Sequence, residues 1–317
     1  MALRVDGLTV YYRTLHGDVH AVDGVDVDVA DGEIMGLAGE SGCGKSSFGN
    51  SIVHLTGRMK HVAGTVELDG EQLPIADVEA MNAYRFAKVS VIPQYAMSAL
   101  NPTRRIGKMI SELLHARGVH YADVHGELVR RLALVGLDES VLGLYPIELS
   151  GGMKQRTVMV VSTLLDPSLL IADEVTSALD VSTQKAVARM LVEFRDRGFV
   201  KSMVVITHDV SILAQFADSI MVMYAGQAAE KAPTAAIVDE PRHPYTRLLI
   251  ASLPELGVRF EERRLHGIPG TPPGLLEPPK GCRFHDRCPL ATKRCAAAPP
   301  PFREVAPGHR IACWNAA

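Results

Sequence analysis

The stretch Gly39-Glu40-Ser41-Gly42-Cys43-Gly44-Lys45-Ser46-Ser47 constrains this chain more than any other. It fits G-x-x-x-x-G-K-[ST], a glycine-rich loop that joins a strand to a helix and cradles phosphate. The apolar run Ile34 to Ala38 ahead of it reads as a buried strand, and Ser46 to Leu55 behind it reads as a helix. Gly39, Gly42 and Gly44 let the backbone take conformations that a side chain would forbid. The N–H groups so exposed, backed by the helix N-terminus, surround an anion. Lys45 supplies a point charge for the outer phosphates, and the Ser46 hydroxyl is a ligand for Mg²⁺. Ser41 and Ser47 complete the loop residues expected to line a nucleotide.

The remaining chain reads as an α/β protein. Val25, Val27 and Val29 alternate with Asp26 and Asp28, the period of a half-exposed strand. With Leu3 to Tyr12 and Gly64 to Gly70 they suggest an antiparallel sheet beside the phosphate-binding core. Val89 to Ile92, Leu169 to Ala172, Met203 to Ile206 and Ile220 to Tyr224 read as buried strands, with a helix from Val181 to Arg197. Strands alternating with helices argue for a mostly parallel sheet. Ile106 to Arg117 and Val124 to Val135 carry apolar residues at helical spacing, a helical insertion within about residues 95–165. From Pro241 onward prolines are dense, and that segment reads as an extended tail tied down locally. The expected division is a nucleotide-binding domain over 1–240 and a Pro- and Cys-rich extension over 241–317.

Two further stretches carry chemistry. Asp173-Glu174 follows an apolar strand directly, where ligands bind in open α/β sheets. One carboxylate can hold Mg²⁺ and the next can polarise an attacking water, the two acidic roles of phosphoryl transfer. Leu149-Ser150-Gly151-Gly152 precedes a helical run, with Ser150 a natural N-cap. Its glycines expose N–H groups at the positive end of the helix dipole, a second anion site. Taken alone, that stretch is as consistent with an ordinary capped helix.

Net charge is −3, which argues against a nucleic-acid footprint over the whole surface. The first residues lack the apolar core of a signal peptide, and no apolar run approaches membrane-spanning length. A cytoplasmic protein is expected, with any membrane attachment made through a partner. Four of the five cysteines, Cys282, Cys288, Cys295 and Cys313, fall in the tail with gaps of five, six and seventeen residues. Structural zinc sites use shorter first gaps, whereas four thiolates can also hold an iron–sulfur cluster. Iron–sulfur, zinc and unligated thiols all stay open, and His285 is a possible substitute ligand. Arg283, Arg287, Lys293 and Arg294 would offset thiolate charge or be solvated.

The ordered set of motifs resembles the nucleotide-binding subunit of an ATP-binding cassette transporter. The order runs Gly39 to Ser47, Gln94 after a strand, Leu149 to Gly152, Asp173-Glu174, Ser177-Ala178-Leu179-Asp180 and Thr207-His208, within residues 3–253. The resemblance implies an ATPase with Glu174 as catalytic base, His208 as the switch histidine on the γ-phosphate, and Gln94 reaching Mg²⁺ and the water. It places Tyr12 against adenine, with Tyr11 the neighbouring candidate. Ser46, Gln94 and Asp173 would hold Mg²⁺. Ser150, Gly151 and Gly152 would complete the ATP site of a second subunit, with Asp180 closing the loop that communicates across the dimer. Two positions depart from the pattern: Cys43 stands where Ser is commoner, and Val175 where Pro is usual.

His243-Pro244-Tyr245-Thr246, Ile268-Pro269-Gly270 and Gly281-Cys282-Arg283-Phe284 are similar to the oligopeptide and dipeptide importer branch, which also includes nickel and oligosaccharide importers. That likeness implies a [4Fe–4S] cluster on the four tail cysteines. It further implies a related second ATPase, two permeases, an external binding protein and a position at the cytoplasmic face of the membrane. The rival readings are a soluble cassette ATPase outside transport and a redox-sensing iron–sulfur protein.

Overall fold

The computed structural model describes residues 1–94, 98–177, 180–253 and 267–315. An eight-stranded sheet forms the centre. Its parallel part is β6 (Val89–Ile92), β7 (Leu169–Asp173), β8 (Ser202–Ile206), β3 (Ile34–Ala38) and β9 (Ser219–Tyr224), with β3 between β8 and β9. Alternation within these strands divides the core into two. Ile34 and Ala38, Leu170 and Ala172, Met203 and Val205 point to one face; Met35 and Leu37, Leu169 and Ile171, Val204 and Ile206 point to the other. Both faces are apolar because both are covered, as a parallel sheet requires.

One face carries the helical insertion, α2 (Ile106–His115) and α3 (Tyr121–Leu134), together with α4 (Gly151–Thr163) and α5 (Val181–Asp196). Ile106, Ile110 and Leu114 are fully buried, the i, i+4, i+8 stripe that the insertion's sequence pattern predicts. Arg131 of α3 is also buried; it lies over the Phe199 ring at 3.9 Å and pairs with Glu127 and Asp166, so its charge is answered on entry to the core. The other face carries α1 (Lys45–Val53) and an antiparallel sheet of β1 (Leu3–Thr14), β2 (Gly17–Val29), β4 (Met59–Leu68) and β5 (Glu71–Gln72), in the order β2-β1-β4-β5. Among the described residues no helix is long and apolar enough to cross a membrane.

The tail departs from the expectation of an extended segment. After β10 (Gln227–Pro233), α7 (Thr234–Asp239) and α8 (Pro244–Ala251), the chain ends in α9 (Lys293–Ala297) and the hairpin β11 (Arg303–Ala306) and β12 (His309–Ile311). β12 pairs antiparallel with β10, so the tail extends the central sheet at the edge opposite β6. The join is polar at its centre. Glu230 of β10 is fully buried and accepts from His309 Nε2 at 2.7 Å and from the N–H groups of Arg242 and His243. Burial pushes the neighbouring His243 down to about 4, keeping its Nδ1 an acceptor for the Tyr245 N–H at the start of α8. Proline density had hidden these short pairings, because the strand signal survives only in three or four residues.

Candidate functional site

Four of the motifs expected to act on a triphosphate leave the same edge of the central sheet. Gly39 follows β3, Gln94 lies two residues past β6, Asp173 ends β7, and Thr207-His208 follow β8. That edge is the carboxyl end of parallel strands, where open α/β sheets bind ligands.

The glycine-rich loop turns because two of its residues cannot carry a side chain. Gly39 has φ of 144°, and a Cβ there would run into the Met223 carbonyl oxygen; Gly44 has φ of 104°, and its Cβ would meet the Ala21 carbonyl oxygen. Gly44 is the N-cap of α1, so the loop feeds straight into the positive end of that helix. Lys45 is 5% exposed, and its Nζ donates to the Gly39 and Glu40 carbonyls at 2.8 and 3.0 Å. Cys43 is buried with Sγ 3.7 Å from that ammonium, and burial raises its thiol above the ordinary value. The Ser46 hydroxyl donates to Asp173 at 3.0 Å, joining two of the three expected Mg²⁺ ligands. Asp173 is 6% exposed; burial raises its pKa, partly opposed by the Ser46 hydrogen bond.

Glu174 sits at the centre of the remaining polar groups. It accepts from Gln94 Nε2 at 2.8 Å and from Ser177 Oγ at 3.1 Å, and His208 Nδ1 lies 3.6 Å away. Its backbone is left-handed, φ 47°, an unusual state for a non-glycine residue. The N–H of Glu174 donates to Ile206 at 2.9 Å, which holds that turn. Val175, in place of the usual proline, is buried, and its carbonyl accepts from Gln155. The Thr176 carbonyl accepts from Gln184. Two side-chain tethers thus restrain a loop that lacks its proline.

Tyr12 stands on β1 with its hydroxyl 3.3 Å from Ser47 Oγ, on the loop's side of the strand. Tyr11 alternates to the other face, stacks on His20 at 4.0 Å and donates to Asp23. Ser150 caps α4 through Met153 N–H at 3.3 Å, with Gly151 exposed beside it. Asp180 caps α5, accepting from the N–H groups of Ser182 and Thr183. Ala178 and Leu179 of the same motif lie outside the described residues, as do residues 95–97 after Gln94.

In the tail, Cys282, Cys288 and Cys295 carry free thiols. Cys282 N–H donates to the Cys295 carbonyl, and Asn315 donates to the sulfurs of both Cys313 and Cys295. Burial pushes the Cys282 thiol up to about 11, and the other three cysteines stand close enough to add to that. Among the described residues, however, no three His, Cys, Asp or Glu side chains converge to hold a metal ion. Three of the four basic residues near the cysteines have other partners. Arg283 pairs with Asp23, Arg287 with Glu40, and Arg294 lies 3.6 Å over the Trp314 ring. His285 has one ring nitrogen on the Cys282 carbonyl and the other on Asp286.

A phosphate-binding loop, a buried carboxylate joined to its serine, and a second carboxylate flanked by glutamine and histidine define an ATPase of the cassette type. The solved cassettes share this fold: MJ0796 in a dimeric post-hydrolysis state bound to ADP and Pi superposes with a TM-score of 0.64 at 23% identity, covering 73% of this chain and 98% of that one. Residues 22–177 match the ABC transporter family, and residues 229–295 match the oligopeptide/dipeptide transporter C-terminal region. The chain belongs to the ABC transporter family of ATPases, in the group defined by that C-terminal region. It is 35% identical to the dipeptide transport ATP-binding protein DppD of Caldanaerobacter subterraneus subsp. tengcongensis, over 98% of this chain and 96% of that protein. It is 36% identical to the oligopeptide transport ATP-binding protein OppD of Escherichia coli, over 99% of this chain and 93% of that protein. The probable D,D-dipeptide transport ATP-binding protein DdpD of Escherichia coli is 38% identical, over 98% and 96%.

Proposed function

We propose that this protein is the ATP-hydrolysing subunit of a binding-protein-dependent importer of di- and oligopeptides. Residues 1–240 form the cassette and residues 241–317 the extension. The carrying observation is Glu174, held by Gln94, Ser177 and His208 at the strand edge that also bears Lys45, Ser46 and Asp173. Relatives named for dipeptide and oligopeptide transport, matched over nearly their full length, support the cargo class.

The chain's residues divide the work of phosphoryl transfer. Amides of Gly39, Ser41, Gly42, Gly44, Ser46 and Ser47 bind the phosphates, Lys45 neutralises the outer ones, and Tyr12 packs on adenine. Ser46, Asp173 and Gln94 would hold Mg²⁺, which supplies charge neutralisation on the phosphate oxygens. Glu174 accepts the proton as water attacks the γ-phosphorus and the bond to the β–γ bridging oxygen breaks. His208 hydrogen-bonds the departing γ-phosphate. Ser150, Gly151 and Gly152 close the ATP site of a second subunit, and Asp180 lies at that dimer contact. The second ATPase is related but different, so the pair is a heterodimer. It drives two permeases, loaded by an external binding protein, from the cytoplasmic face of the membrane through the helical insertion and the segment after Gln94. Affinity-tagged protein taken from solubilised native membranes is expected to bring down two permeases and a second cassette ATPase. The reconstituted assembly should take up labelled dipeptide; recovery of the chain alone, or uptake of nickel or oligosaccharide in place of peptide, would overturn this reading.

We infer a [4Fe–4S] cluster from the donor chemistry of the four tail cysteines, which influence one another's acidity and two of whose sulfurs accept hydrogen bonds from Asn315; their side chains would have to converge to bind it. Cys282, Cys288, Cys295 and Cys313 would be the ligands, with zinc the competing occupant. Protein purified without oxygen is expected to contain iron and acid-labile sulfide, and Cys288→Ser to lose both. Stoichiometric zinc without iron would overturn the cluster.

A further inference from the structure

Glu40 puts a negative charge into a loop built to receive a polyanion. It carries the one acidic side chain between Gly39 and Ser47, beside the amides that face phosphate. Like charges a few ångströms apart repel, and a partly buried site screens them less than water does. Something must answer it. The answer comes from the tail, 247 residues away.

Arg287 binds Glu40 with two parallel hydrogen bonds, Nη1 to Oε2 at 2.7 Å and Nη2 to Oε1 at 3.0 Å. Its side chain is 5% exposed and its other donors are used as well. Nε reaches the Pro269 carbonyl, Nη2 the Ile268 carbonyl, and Nη1 the Tyr224 hydroxyl at 3.1 Å. The guanidinium also lies 5.7 Å from the Tyr224 ring centre and 5.9 Å from that of Phe284. A lysine has neither the planar fork nor enough donors for that set. Tyr245 grips the same loop residue from α8, its hydroxyl accepting from the Glu40 N–H at 2.8 Å. Two C-terminal sequence features thus bear on the loop. Ile268-Pro269 shapes the seat of Arg287, and Tyr245 holds the Glu40 backbone. Arg283 repeats the device with a second carboxylate, bonding the Ala225 carbonyl and Asp23, which also accepts from the Tyr11 hydroxyl.

We infer that Arg287 is a positioning residue of the ATP site: it turns the Glu40 carboxylate away from the phosphates, neutralises it, and so makes the C-terminal extension a structural part of the nucleotide pocket. The inference rests on the reading of Gly39 to Ser47 as the ATP-binding loop. It separates two kinds of loss. Without Arg287 an unanswered carboxylate faces the nucleotide, and affinity falls. Without both partners the charge is gone, and affinity returns.

The test uses the full chain and equilibrium binding of a fluorescent ATP analogue and of ADP, with melting temperatures measured without nucleotide. Arg287→Gln is expected to raise both dissociation constants about fivefold to tenfold, the scale of coupling within one charged network. At saturating ATP, kcat should change by less than about twofold, because Arg287 does not contact the reacting atoms. The double variant Glu40→Gln/Arg287→Gln should bind within about twofold of wild type, the non-additivity that marks a shared interaction. Arg287→Lys, which keeps the charge, should lie between. A purely scaffolding Arg287 would lower the melting temperature and leave the double variant no better than the single one, which overturns the inference. Equal affinity of Arg287→Gln and wild type does the same. If Arg287→Gln does not fold, Glu40→Lys restores the comparison from the loop side: it should weaken folding contacts with Arg287 yet not weaken nucleotide binding, and weakened binding would overturn the inference. Failure of wild type to bind ATP would instead remove the ATP reading itself.

Discussion

Glu174→Gln is expected to stop ATP turnover while leaving ATP-dependent association of the subunits intact. The substitution keeps the side chain's size and its ability to accept from Ser177, which bonds the present carboxylate at 3.1 Å. It removes the capacity to take a proton from water. A general base contributes about 10²- to 10⁴-fold, so kcat should fall by at least that lower bound. Binding should hold, because on the proposed reading the phosphates are gripped by the Gly39–Ser47 loop, which follows another strand. Asp173 is the contrasting case. It is 6% exposed, and the Ser46 hydroxyl already donates to it, so it is poorly placed to accept a proton from bulk water. Steady-state phosphate release checks the first half of the prediction, and size-exclusion chromatography with and without ATP checks the second. Turnover at the wild-type rate would remove Glu174 from its role. Lost association together with lost turnover would make it a structural residue of the left-handed turn at φ 47°.

The parts of this site that are continuous in sequence were legible before any coordinates. The loop, Asp173-Glu174, and the capped turn at Ser150 each announce their backbone through glycine, a strand end or a capping side chain. The two faces of the central sheet could also be anticipated, since apolar strands without alternation imply cover on both sides. What escaped was long-range and polar. Arg287 and Glu40 are 247 residues apart, and each reads locally as an ordinary surface charge. The basic residues near the cysteines read as counter-ions for thiolates or as solvated charges, and two of them, Arg283 and Arg287, pair with the carboxylates of Asp23 and Glu40 instead. Charge type is visible in a sequence, but partner choice depends on which strands are neighbours. Here β12 pairs with β10 and Arg287 of the same tail bonds Glu40 of the loop, two long-range contacts that no local pattern specifies. The strand pairing rests on so few residues that no periodicity betrays it.

Lys45→Ala should cost the protein its nucleotide. The Lys45 ammonium is buried and donates to the carbonyls of Gly39 and Glu40 at 2.8 and 3.0 Å, so it lies within the loop it serves. A hydrogen bond to a charged group contributes about 1.5–3 kcal/mol, and Lys45 is expected to make more than one to the outer phosphates. The dissociation constant for ATP should therefore rise by roughly 100-fold or more, since each ~1.4 kcal/mol is tenfold. Lys45→Arg should not restore it, because a planar fork cannot occupy the space of a compact ammonium wedged between two carbonyls and the Cys43 sulfur. ADP offers the discriminating comparison. If Lys45 acts mainly on the outermost phosphate, ATP affinity should fall further than ADP affinity; if its main role is to hold the loop closed through the Gly39 and Glu40 carbonyls, both should fall together and the melting temperature with them. Titration of the fluorescent analogues with the variant and the wild type reads both. An ATP affinity unchanged by Lys45→Ala would mean that the amides alone bind the triphosphate, and that the charge at the heart of the loop is structural.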